Sequence, residues 1–162
     1  MTPAKVITLH QRHGVEERLI AAVGVVLARG GFSALTEDAV ANEAGVSRAA
    51  LFRRYKGLPA LVRAFGRSAV FWPPVEELLG PDPAARKHGT VAQRVGDFFK
   101  STLAAMRQRP MTLEILAWEL TDRGPLRSLL EDERVRTALA YFEEVLDDVD
   151  EHEAFDFFLG RR

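Results

Sequence analysis

The chain reads as an all-α protein. Two observations predict that class. Large apolar residues recur three and four positions apart from Val15 to the last residues, the spacing of a helix face, and no segment alternates apolar and polar residues as a half-buried strand would. Joints rich in glycine or proline separate these periodic runs, at Gly30-Gly31, Gly45, Pro73-Pro74, Gly80 to Gly89 and Gly124-Pro125. No internal repeat or low-complexity segment interrupts the pattern.

The elements come in this order. From Val15 to Arg29, Leu19, Ile20, Val23 and Leu27 share a face, and Glu16 and Glu17 suit the positive end of the helix. Gly30-Gly31 stops it. Phe32 and Leu35, large and apolar in the connection, are expected to fold back into the core. A second helix opens at Thr36, an N-cap followed by Glu37 and Asp38, and ends near Ala44. Ser47 caps a third, short helix through Tyr55. Pro59 opens a fourth, expected to run through Leu61, Val62 and Phe65 to Phe71. After a loop, Thr90 with Gln93 forms a capping box for a helix turning Val95, Phe98, Phe99, Leu103 and Met106 inward. Pro110 opens another, with Leu113, Leu116, Ala117 and Leu120 inward. The next is expected from Pro125 to about Val149, and a last one from Asp150, carrying Phe155, Phe157, Phe158 and Leu159.

Composition bounds the function. With 162 residues, 47 % hydrophobic and 28 % charged, the chain can bury a core of its own. It has no cysteine, which excludes disulfides, thiolate metal sites and cysteine nucleophiles. No secretory leader pattern opens it and no run approaches the ~18 apolar residues of a membrane span, so a cytoplasmic protein without a membrane partner is expected. Charge is divided: residues 1–70 carry ten Lys/Arg against five Asp/Glu, and residues 71–162 carry twelve against eighteen. A polyanion would attract the first part and be repelled by the second. Charges on solvated helices also vary this much by chance, so the totals leave both readings open.

The helix pair at 36–55 carries the sharpest signal. Two short helices joined by Gly45-Val46-Ser47 have the form of a helix-turn-helix. At 100° per residue Leu51 and Tyr55 point inward, whereas Arg53, Ala49 and Ala50 lie opposite with Arg48 and Arg54 on the flanks. Small residues let a backbone approach base edges, and an arginine can bond guanine bidentately. Arg54 and Lys56 suit phosphates. The alternative is an ordinary helical hairpin with a solvated basic face.

The segment "GFSALTEDAVANEAGVSRAALFRRYKGLPALVRAF", Gly31 to Phe65, resembles the DNA-binding domain of the TetR family of transcriptional regulators. The likeness covers about residues 15 to 66, and "RPMTLEILAWELTDRGPLRSL", Arg109 to Leu129, resembles ligand-domain sequence more weakly. It implies an N-terminal three-helix helix-turn-helix domain at 1–57, joined through the fourth helix to a helical effector-binding and dimerisation domain at 58–162. The partners it implies are a double-stranded DNA operator, a small-molecule effector and a second copy of the chain. The residues it sets against DNA are Thr36, Ser47, Arg48, Ala49, Ala50, Phe52, Arg53 and Arg54, with Lys56 added here. The chain departs from the family pattern at Phe52, where a tyrosine is usual, at Arg54, where a histidine is usual, and at Leu58, where a lysine is common. The last helix is also short for the family, so either the dimer forms from the helix at 125–149 and a stub, or the chain is shortened.

An effector pocket would draw on Phe71, Trp72, Phe98, Phe99, Met106, Trp118 and Tyr141, which suit an apolar or aromatic molecule and read equally as plain core. Glu114 and Glu119 beside Trp118 are expected as solvated surface carboxylates. No catalytic residue, metal ligand or cofactor is assigned. His10 with His13, Asp148 with His152, and His88 lack a third convergent ligand, and no P-loop, nucleophile elbow or H-E-x-x-H occurs. A TetR-like helical dimer that binds a protein partner or small molecule without specific DNA binding stays as the alternative.

Overall fold

The computed structural model describes residues 14–150. The expected last helix with Phe155, Phe157, Phe158 and Leu159 lies outside the described residues, as do His10, His13 and His152. Within them the chain is helical throughout: α1 (Val15–Ala34), α2 (Glu37–Glu43), α3 (Arg48–Tyr55), α4 (Leu58–Gly66), α5 (Val75–Leu79), α6 (Val91–Arg107), α7 (Pro110–Glu119) and α8 (Pro125–Val145), with a single 3-10 turn at Ala84–Lys87. None of these helices is long and apolar enough to cross a membrane.

α1 is the axis of the front half and packs on α2, α4 and α7. Its regular winding breaks at Gly31, whose φ of 66° suits glycine. The glycine also makes room for the Trp118 indole of α7, which would stand 2.8 Å from a Cβ there and donates its N–H to the Ala28 carbonyl at 3.1 Å. Phe32 and Leu35 turn back into the core as expected. The caps are those the sequence predicts: the hydroxyls of Thr36 and Ser47 accept from the amides of Ala39 and Ala50. Thr90 and Gln93 close their box reciprocally.

Four expectations need correction. α4 stops at Gly66 rather than Phe71. Gly66 lies against α8, where a Cβ would sit 3.1 Å from Glu133 and 3.2 Å from Leu130. The Ser68 hydroxyl donates to the Phe65 carbonyl at 2.6 Å, and the turn beyond it sends Phe71 into the core. α8 ends at Val145, where Arg94 of α6 takes the carbonyl at 2.9 Å. On α7 the buried face is Thr112, Ile115 and Glu119, and Leu113 and Leu120 are exposed. Polar contacts set that rotation: the Thr112 hydroxyl donates to the Phe71 carbonyl at 2.6 Å, and Glu119 meets Arg134 of α8. On α6, Phe98 and Met106 are buried but Phe99 and Leu103 face outward.

Two cores result. The first joins Leu19, Val23 and Leu27 of α1 with Val40, Leu51, Leu61, Phe65, Phe71, Ile115 and Leu130, and so contains residues on both sides of position 57. The second holds Leu78, Leu79, Phe98, Met106, Tyr141 and Val145, with Trp72 against both. The seven residues named for a pocket are therefore divided. Phe71 belongs to the first core and Phe98, Met106 and Tyr141 to the second, with Trp72 between them; Phe99 is 63 % exposed, and Trp118 rests on α1.

Candidate nucleic-acid interface

α3 is eight residues long, too short to persist alone in water. Leu51 holds it from behind, fully buried in the first core, with half-buried Tyr55 one turn on. The turn before it is fixed by Gly45 at φ 62° and by the Val46 amide donating to the Ala41 carbonyl at 3.0 Å. Lys56 ends it in the left-handed region, φ 57°, its amide on the Phe52 carbonyl at 2.9 Å. A side chain other than glycine rarely adopts that conformation. It projects the lysine just past the helix end.

Anchored so, α3 turns Ala49, Phe52, Arg53 and Lys56 to solvent along one arc. The arginines then part company. Arg54 leaves the arc and reaches across to α1, where Nε donates to Glu16 at 2.9 Å and Nη2 makes a second, shorter bond to the same carboxylate. Arg48 is taken by α2: it donates to Glu37 from Nε at 3.1 Å and from Nη2 at 2.6 Å, and lies 3.7 Å from Asp38. The Arg53 side chain makes no hydrogen bond or ion pair to another described residue. Thr36 and Ser47 spend their hydroxyls on caps but stay exposed, and Ala50 is half-buried on the inner edge of the arc.

The Arg54 contact has a pH signature. The hydrogen bond and charge of Arg54 hold the Glu16 carboxyl below the usual carboxylate range, and Glu16 raises Arg54 in turn. Burial first, and then the Glu16 charge, push the Tyr55 hydroxyl up to about 12. A carboxyl depressed in the folded state stabilises above its unfolded pKa, and that stability is lost as pH falls through the folded value. In Glu16→Gln the loss of thermal stability between about pH 7 and pH 3 is expected to be smaller than in the native chain. An equal loss in both would show that the pair does not fasten α3 to α1.

Sequence spacing gives Arg53 its place but not the partners of its neighbours. Glu16 lies 38 residues before Arg54, and nothing local joins them. Glu37 and Asp38 read as N-terminal charges of α2, and they are also the hold on Arg48.

A short helix pair whose second member presents small and cationic residues to solvent, buttressed by a third helix, is a helix-turn-helix, an architecture that places one helix in a DNA major groove. Residues 19–65 match the family model for bacterial regulatory proteins of the tetR family, which supports reading this part of the chain as a TetR-type helix-turn-helix domain. Comparison with curated proteins and with solved structures gives no match.

Proposed function

We propose that the protein is a ligand-responsive repressor that binds a palindromic operator as a homodimer in the cytoplasm, with residues 1–57 reading DNA and residues 58–162 binding the effector and the partner copy. The observation that carries the reading is the Arg53 side chain, which lies on the exposed arc of α3 with no ion pair among the described residues, between neighbouring arginines that are already engaged. It reads a base, and Lys56 grips phosphate just beyond the helix end. Arg54 and Arg48 first serve the domain, through Glu16 and Glu37.

Arg53→Ala is expected to cost about 1–3 kcal/mol of operator binding and to relax base preference. Lys56→Ala is expected to weaken binding to every sequence alike and to lower the salt slope by about 1. Fluorescence anisotropy over a salt series measures both. Unchanged affinity in Arg53→Ala would remove it from base readout, and a sequence-selective loss in Lys56→Ala would contradict the phosphate role.

The effector is an apolar or aromatic molecule, and the second core is the place for it. There Phe98, Tyr141 and Phe142 pack ring against ring at 4.8–5.7 Å, and the Tyr141 hydroxyl and the Trp72 indole N–H are buried without a hydrogen-bond partner among the described residues. Buried polar atoms left unpaired are uncommon, and a ligand could satisfy them. Release of DNA requires the effector to bind the DNA-incompetent state more tightly. The path to α3 runs through α4, at whose end Arg67 meets Glu133 of α8 at 3.0 Å.

A further inference from the structure

Phe52 does not fit its surroundings. It lies on the exposed arc of α3 beside Ala49, Arg53 and Lys56, and its ring is 40 % exposed on a face otherwise small or cationic. The inward position next to it is already taken by Leu51, and a helix turns 100° between the two. The ring is nevertheless held. Arg48, one turn earlier, places its guanidinium 5.6 Å from the ring centroid, and is itself fixed by Glu37 and Asp38 of α2. An apolar group steadied by its own neighbours and presented outward is poised for an apolar feature on the partner.

Base edges in the major groove offer donors, acceptors and one apolar group, the C5-methyl of thymine. A phenyl ring has nothing to give a phosphate or a polar base edge, and covering those edges without a hydrogen bond is unfavourable. We propose that Phe52 reads thymine through that methyl, beside the base taken by Arg53, and that Arg48 is a positioning residue that holds the ring rather than a phosphate contact. The proposal rests on the DNA-binding reading above and adds to it a second base position and its identity.

Replacing thymine by deoxyuracil removes the methyl and leaves every hydrogen-bonding group. Duplexes selected by the full chain from random DNA would have each thymine replaced in turn. At one position per half-site, next to the guanine that depends on Arg53, the change is expected to weaken native binding about 4-fold, the value of one buried methyl. In Phe52→Ala the same duplexes should bind with no difference between thymine and deoxyuracil. Arg48→Ala should blunt the thymine preference and leave the guanine preference in place; circular dichroism would confirm that both variants are folded. Selected duplexes that bind but tolerate every deoxyuracil, or the same penalty in Phe52→Ala as in the native chain, would overturn the assignment. A ring wedged between base steps would also give indifference to the methyl, with a bent duplex, and would overturn it equally. Failure to bind any duplex would instead remove the DNA reading on which it stands.

Discussion

Arg134→Ala is expected to destabilise the fold by about 3–5 kcal/mol, the range for leaving one charge of a buried pair without its partner. Arg134 meets Glu119 through two bonds, Nη1 at 2.9 Å and Nη2 at 2.6 Å, and the Glu119 side chain is only 6 % exposed. The guanidinium also lies 5.7 Å from the Trp72 ring, so the substitution removes packing at the junction of the two cores. Exchanging both partners for apolar residues, Arg134→Met with Glu119→Leu, should recover most of the loss, since a buried pair replaced as a unit is often neutral. Urea unfolding of the two variants measures this. A loss under about 1 kcal/mol in the single variant, the value of an exposed pair, would mean that water reaches Glu119.

Phe65→Ala is expected to cost a similar ~3–5 kcal/mol, the range for emptying a packed aromatic site. The ring is fully buried, 5.0 Å from Phe71, and close enough to Gly24 of α1 that a Cβ there would stand 2.9 Å from it. Because the first core draws on α1 to α4 and on α7 and α8, the loss should lower one cooperative transition for the whole molecule. Two transitions, only one of them shifted, would show that the helix-turn-helix stands independently of the helices from α5 onward.

Much of the front half is legible in the sequence because its signals are local. Thr36, Ser47, Gly31 and Gly45 each specify a cap or turn within a few residues, and the structure uses all of them. Leu51 inward and Arg53 outward come from helix period alone. The back half is harder to read because its helices carry apolar residues on more than one face. On α7, Leu113, Leu116 and Leu120 outnumber the apolar residues of the true inner face, which Ile115 shares with Thr112 and Glu119. Glu119 reads as a surface carboxylate until its partner fifteen residues on is known. Trp118 reads as a pocket wall, and its resting place is a glycine of α1 far away in sequence. Contacts of that kind have no local signature.

We propose that α3 reads bases, with Arg53 at its centre, in a two-fold complex. Selection of bound duplexes from random DNA by the full chain, with sequencing of the bound pool, is the decisive experiment. An inverted repeat is expected, with half-site centres about 34–36 Å apart or a multiple of that, and a guanine in each half that loses its preference when Arg53→Ala is used. A pool no more ordered than the input, or a single unrepeated site indifferent to Arg53, would contradict it.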